Sequence, residues 1–200
     1  AVAAVVVVMV GALATGAIQV DWLSNIVTAV ALVAAIYLWV QMYTSKLVTR
    51  EEKNRLLGFI PMFVSGVLFF GIFQQQFTVM TIYSDVRLDR HMFGWEIPPS
   101  LVQSINPIFI VIFSAVFATM WTKLGDRQWS TPVKFGVANI VIGISLFFFL
   151  PFSGGEANST PMYAIIFILF LFTMAELLLS PVGNALATKV APVAFPSRMM

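Results

Sequence analysis

The stretch PMYAIIFILFLFTMAELLLSPVGNALATKVA, residues 161–191, decides the fold. A helix needs about 20 mostly apolar residues to cross a bilayer, and this run is long enough. Glu176 lies near its middle. A carboxylate at bilayer depth costs roughly 2.5–3.5 kcal/mol on insertion scales, so such a residue usually faces a polar cavity, a partner charge or a proton path. The run therefore predicts a membrane helix that carries a functional acid.

The composition extends this prediction to the whole chain. Hydrophobic residues make up 60% of the 200 residues and charged residues 10%, whereas soluble domains carry about 25% charged residues. In lipid the backbone must satisfy its own hydrogen bonds, which favours helices over isolated strands. We therefore predict an all-α integral membrane protein. The absence of cysteine and the single histidine, His91, exclude disulfides and multi-histidine metal sites, and we expect no cofactor and no bound metal.

Six apolar runs are long enough to be transmembrane helices. They cover residues 1–20, 23–43, 57–84, 99–122, 132–152 and 161–190. The charged segment 45–56 has two interpretations, a short interfacial helix or a solvated cytoplasmic loop. Because the chain starts without Met and stops at Met200, we interpret it as a fragment of a longer polypeptide.

The charges predict the orientation of these helices. Nine of the 11 basic residues lie on alternating connections, whose summed charge is +6, and the opposite connections sum to −3. The positive-inside rule places the basic connections in the cytoplasm. This clustering explains the basic pI by topology, so we expect no nucleic-acid partner.

Polar residues on the third run predict one polar helix face. Gln74, Thr78, Thr81 and Asp85 follow one another at spacings of four, three and four residues, which is the period of a helix. We interpret this face as the lining of a wet cavity. The alternative is hydrogen bonding between helices.

Two more runs carry comparable polar patches. On the fourth run, Gln103 and Asn106 precede Pro107, which predicts a kink because proline removes a backbone donor. On the sixth, Glu176 and Ser180 are one turn apart, and Pro181 predicts a bend beside them. No nucleophile–base pair and no phosphate-binding glycine loop accompanies these patches, so we predict that the protein is not an enzyme.

Several long motifs, in order, resemble the proton-dependent oligopeptide transporter family of the major facilitator superfamily. The runs that resemble its seventh, eighth and tenth helices are Phe73–Asp85, Ile97–Ile110 and Glu176–Met200. The resemblance implies that residues 1–44 are an inserted helix pair, 45–56 a charged cytoplasmic linker, and 57–200 a partial carboxy-terminal bundle of helices seven to ten. It also implies a missing amino-terminal bundle as partner.

The same resemblance implies roles for individual residues. Glu176 is expected to bind the α-ammonium group of a peptide, Asn106 to hydrogen-bond the peptide backbone, and Ser180 and Phe70 to lie in the pocket. Many members carry an acid where this chain has Gln74, which cannot titrate. Two further polar residues complete the candidate substrate site, Gln103 and Thr78.

The implied function is proton-coupled uptake of di- and tripeptides by alternating access, in the cytoplasmic membrane of a bacterium. The expected partners are a peptide, protons and the lipid bilayer. One alternative is the same fold with another amino-acid-derived or anionic substrate. The other is a non-transporting membrane scaffold, although aligned polar faces on three helices are unnecessary for a scaffold.

Overall fold

A computed structural model describes residues 20–92 and 94–196. Most of these residues are helical. The α-helices are α1 (Val20–Thr44), α2 (Arg50–Phe73), α3 (Val79–Val86), α4 (Pro99–Val102), α5 (Ile105–Leu124), α6 (Thr131–Phe147) and α7 (Met162–Val190). Short 3-10 turns cover Gln74–Phe77, Gly125–Arg127 and Leu150–Phe152.

Five helical segments in the described part of the chain are long and apolar enough to cross a membrane. They are Ser24–Thr44, Arg50–Val86, Pro99–Arg127, Thr131–Phe152 and Met162–Val190. These segments confirm five of the six predicted runs. The remaining run, residues 1–20, lies outside the described residues.

The charged segment 45–56 differs from both of its interpretations, because α2 begins at Arg50 and continues through it. Thr49 caps this helix. Its hydroxyl accepts a hydrogen bond from the Glu52 N–H (3.3 Å), and the Glu52 carboxylate accepts one from the Thr49 N–H (2.7 Å). This capping box satisfies two backbone donors and starts the helix early. The connection between α1 and α2 is therefore short.

The third predicted run, 57–84, is not one continuous helix. It is interrupted by the 3-10 turn Gln74–Phe77, and Thr78 has φ −117° and ψ −73°. The spacing of Gln74 to Asp85 therefore does not describe one regular helix face, and that prediction was wrong in its geometry. The interruption coincides with three consecutive glutamines, whose side chains hydrogen-bond more readily than the apolar neighbours do.

The fourth predicted run, 99–122, is also divided, between α4 and α5. Pro107 lies in the first turn of α5 rather than inside a helix. At that position the proline replaces an N–H that has no intrahelical acceptor. The predicted kink at Pro107 is therefore a helix start, and the break lies at Gln103 and Ser104. By contrast, α7 continues through Pro181.

Helix α7 is the centre of the packing. It contacts α6, α5 and α2. The apolar core that these helices share is formed by buried side chains, among them Phe69, Phe73, Phe135, Ile142, Ile165, Ile168, Phe172 and Leu179. Because α7 packs against three helices, those of its polar residues that are buried or half-buried, such as Thr173 and Glu176, become candidates for a site.

The predicted outer loops contain four two-residue strands, which are absent from the all-α prediction, and one strand pair joins two of these loops. Leu88–Asp89 (β1) pairs in parallel with Thr160–Pro161 (β4), and His91–Met92 (β2) pairs antiparallel with Trp95–Glu96 (β3). The Tyr83 hydroxyl reinforces the first pair with a 2.7 Å hydrogen bond to Thr160 Oγ1. Such short pairings between distant loops have no periodic sequence signal.

Candidate functional site

Asn106 and Thr173 form a buried polar contact between α5 and α7. The Thr173 hydroxyl donates to Asn106 Oδ1 at 2.5 Å, and both side chains are buried. Because Oδ1 accepts this bond, the amide nitrogen of Asn106 is oriented to donate elsewhere. Asn106 lies near Glu176, which is less than one turn beyond Thr173, so its amide can interact with the carboxylate. The Asn106–Thr173 contact therefore orients the amide beside Glu176.

Glu176 is half-buried and has one carboxylate oxygen, Oε2, that is buried without a hydrogen-bond partner among the described residues. Leaving a buried acceptor unpaired costs about 1–3 kcal/mol, and more for a charged group. A cationic donor that reached this oxygen would remove that cost. Glu176 and Asn106 together offer one acceptor for an ammonium group and one amide with two N–H donors.

Phe70 and Ser180 line a second part of the candidate site. They meet at a cavity of about 430 Å³ between α2, α6 and α7, whose other walls include Gly66, Gly183 and Asn184. Its lining is mostly apolar. A Cβ added at either glycine would meet the ring of Phe135, at 3.9 Å from Gly66 and 3.4 Å from Gly183, so the two glycines let this ring pack closely against α2 and α7.

Gln103 lies at the junction of the two interrupted spans. Its Nε2 donates to Thr81 Oγ1 and lies 3.4 Å from the Phe77 carbonyl oxygen. It therefore ties the start of α5 to the 3-10 turn and α3. Thr78 makes a local contact, from its hydroxyl to Gln75 Oε1 at 3.4 Å, and its side chain is exposed.

Gln74 also has an exposed side chain, at the first position of the 3-10 turn. The glutamine that is buried is Gln76, with 2% of its surface accessible. It lies beside Ser84 and Gln103. The sequence predicted a polar face through Gln74 that Gln75 and Gln76 widen, and it did not set the buried Gln76 apart from the other two, because the 3-10 turn rotates the three glutamines away from helical spacing.

Asp85, predicted on the same face, belongs to a cluster at the predicted outer end. Arg90 contacts Glu96 at 2.9 Å and Asp85 at 3.7 Å, and it donates to the Ile97 carbonyl oxygen at 3.2 Å. Asp85 is therefore placed in an ion-pair cluster rather than beside Glu176.

Lys134 is a second residue whose environment the sequence did not indicate. It was counted among the basic loop residues, but it lies in the first turn of α6 and is buried. Its Nζ lies 3.9 Å from the centre of the Trp121 ring and donates to Gln128 Oε1 at 2.9 Å. The nearby tryptophans Trp121 and Trp129 were the available signal, since aromatic faces attract ammonium groups.

Comparisons with known proteins agree with this fold. The sequence model of the POT family matches residues 2–200. The di-/tripeptide transporter of Lactococcus lactis subsp. cremoris is 40% identical over 184 residues, which cover 88% of this chain and 37% of that protein. An uncharacterised Bacillus subtilis transporter, YclF, is 37% identical over 188 residues, covering 93% of this chain and 38% of that protein.

Solved structures of transporters share the architecture. A peptide transporter of the POT family in complex with sulfate superposes with a TM-score of 0.89 at 35% identity, over 99% of this chain and 41% of that one. A POT family transporter in complex with 5-aminolevulinic acid gives 0.87 at 35% identity, over 100% and 42%. The chain thus spans about two fifths of the length of these relatives. Given a family match over nearly its whole length and its five spanning-length helices, the chain is a multi-pass membrane protein that belongs to the POT family.

Proposed function

We propose that this chain supplies part of a proton-coupled transporter of di- and tripeptides, which acts by alternating access in the cytoplasmic membrane of a bacterium. The observation that carries the proposal is the unpaired, buried Oε2 of Glu176 beside the fixed amide of Asn106. The name of the Lactococcus relative, a di-/tripeptide transporter, supports the same substrate class.

The geometry matches the amino-terminal part of a peptide. A peptide ammonium group would donate to Glu176 in a charge-assisted hydrogen bond, which is roughly twice as strong as a neutral one. The second N–H of the Asn106 amide would donate to the first peptide carbonyl. Phe70 and Ser180 would then border the space for a side chain, in the cavity of about 430 Å³.

Transport requires a second helical bundle that closes the site from the other side. We propose that this bundle corresponds to the part of the related transporters that this chain does not match. Binding near the bilayer midplane between two bundles allows them to rock around the substrate. Proton entry would drive the cycle, and its electrical part is worth about 2.3 kcal/mol per charge per 100 mV. Among the described residues, Glu176 is the one carboxylate in the middle of a span, so it is the candidate for sensing that proton here.

The test is Glu176→Gln in the full-length transporter. We expect loss of dipeptide accumulation in proteoliposomes, because a neutral amide offers the ammonium group no charge-assisted bond. Glu156→Gln, which changes an exposed loop carboxylate, is the control and keeps uptake. Undiminished uptake by Glu176→Gln at equal protein level would overturn the proposal.

A second candidate is another amino-acid-derived substrate on the same fold. The solved POT family transporter that holds 5-aminolevulinic acid gives this alternative its basis, because that molecule also carries an amino group for a carboxylate to bind. Competition of uptake by a panel of dipeptides and by 5-aminolevulinic acid separates the two. A scaffold, the third candidate, would show no uptake or exchange of either.

A further inference from the structure

Glu52 joins two distant parts of the chain at the predicted cytoplasmic end. Its Oε2 accepts from the N–H (2.7 Å) and from the hydroxyl (2.9 Å) of Thr49, which completes the cap of α2. Its other oxygen, Oε1, accepts a 2.9 Å hydrogen bond from the N–H of Val193, 141 residues later. The cap of α2 uses only one oxygen of the Glu52 carboxylate. The other oxygen can therefore accept a hydrogen bond from a residue far away in the chain.

An apolar cluster lies at the same end of the molecule. Met42 from α1, Val48 from the connection and Leu56 from α2 are buried together, and Val190 and Phe195 pack against them. The cluster and the Glu52–Val193 bond involve the end of α1, the start of α2 and the turn after α7. We call these contacts the cytoplasmic latch.

We propose that Glu52 is a positioning residue for transport, which holds the cytoplasmic end of α7 against the start of α2 through the N–H of Val193. The inference rests on the proposed function, since α7 carries Glu176. From Glu176 to Val190 the helix continues for 14 residues, through Pro181, which is about 21 Å at 1.5 Å per residue. A continuous helix transmits a shift at one end to the other.

The cytoplasmic latch can open during transport. The Glu52 carboxylate is partly accessible to water, so water can replace the hydrogen bond to Val193 when α7 moves. Its single contact to Val193 is a charge-assisted hydrogen bond, strong enough to shift an equilibrium between conformations by roughly three- to tenfold and weak enough to break in each cycle.

The donor can be removed without changing the rest of the turn. Val193 follows Pro192 in a turn closed by the Phe195 N–H and the Pro192 carbonyl oxygen (2.8 Å). In such a turn Val193 occupies the second position, which accepts proline. Its side chain is 88% exposed, so the side chain itself has little to lose. Val193→Pro deletes the N–H, and Val193→Ala deletes the side chain and keeps the N–H.

The experiment compares these variants in the full-length transporter on a cysteine-free background, with a reporter Ala185→Cys at an exposed position of α7. We expect Val193→Pro to change the alkylation rate of the reporter roughly three- to tenfold and to lower peptide turnover by a similar factor. Peptide affinity should stay unchanged, because the Glu176 site is intact. Val193→Ala should match the parent in all three measurements.

Substitutions at the acceptor give an independent test should the proline variant fail to fold. Glu52→Ala should reproduce the effect of Val193→Pro, and the double variant should add nothing to Glu52→Ala, because Glu52→Ala already removes the bond that Val193→Pro deletes. Glu51→Ala is the matched control, since the contact of Glu51 within the described part of the chain is a long, exposed one to Arg55 (4.0 Å).

Equal reporter rates in Val193→Pro and Val193→Ala would overturn the latch, as would a loss of peptide affinity with an unchanged reporter rate. The reporter does not depend on the substrate. A parent that fails to carry peptides while its reporter rate still responds to Val193→Pro would overturn the proposed function and leave the latch standing.

Discussion

At the scale of single residues, the buried hydroxyl of Thr173 determines how the Asn106 amide is presented. Thr173→Val keeps the shape and removes the donor to Asn106 Oδ1. A lost buried hydrogen bond costs about 1 kcal/mol, which lowers Tm by about 2–4 °C in a protein of this size or somewhat larger. We also expect weaker peptide binding, because the amide is free to turn away from Glu176. Thermal unfolding in detergent and a binding titration measure the two effects.

Thr188→Val is the matched control. The Thr188 hydroxyl is exposed and donates to the Asn184 carbonyl oxygen of its own helix, at 2.9 Å. Its loss should change neither Tm nor peptide affinity. Equal peptide affinity in Thr173→Val and the parent would show that Asn106 needs no orientation by Thr173.

At the scale of elements, the two interrupted spans are joined by Gln103. Its amide contacts Thr81 and the Phe77 carbonyl oxygen, so the break in one span is fixed to the break in the other. Gln103→Leu removes this tie, while the backbone geometry of both breaks remains. We expect a several-fold lower rate of peptide exchange with little change in affinity, measured as counterflow in proteoliposomes.

Gln75→Leu is the comparison for this element. Gln75 is exposed and its Nε2 donates to the Gly71 carbonyl oxygen one turn earlier, so it does not join the two spans through that bond. Its exchange rate should match that of the parent. A Gln103→Leu rate equal to the Gln75→Leu rate would mean that the two breaks move independently.

At the scale of the whole molecule, the proposed transport cycle needs more than this chain. The chain matches about two fifths of the length of its relatives, and under the proposed function Glu176, Asn106 and Phe70 lie on helices that need a facing bundle for alternating access. We expect the 200-residue chain alone to give no peptide accumulation in proteoliposomes. Joined to the remainder of the full-length transporter, the same chain should accumulate peptide. Accumulation by the chain alone would show that these helices form a complete pathway.

Much of the fold follows from local properties of the sequence. Apolar runs of spanning length predicted the helices, because a backbone in lipid must satisfy its own hydrogen bonds. The depth of Glu176 in such a run made it a candidate, and the resemblance to the transporter family pointed to Asn106 and Ser180. These inferences need only the composition and order of one segment at a time.

The tertiary structure decided the contacts between segments that are far apart in the chain. Three features depend on how the helices pack against one another. They are the hydrogen bond between Glu52 and Val193, the buried pair Asn106 and Thr173, and the burial of Gln76 instead of Gln74. Helical spacing failed at the 3-10 turn because polar side chains there stabilise an alternative to the regular helix. The sequence by itself determined that the chain crosses the membrane and carries an acid inside it. Packing decided which polar groups share a site, because no periodicity along one helix encodes its neighbour.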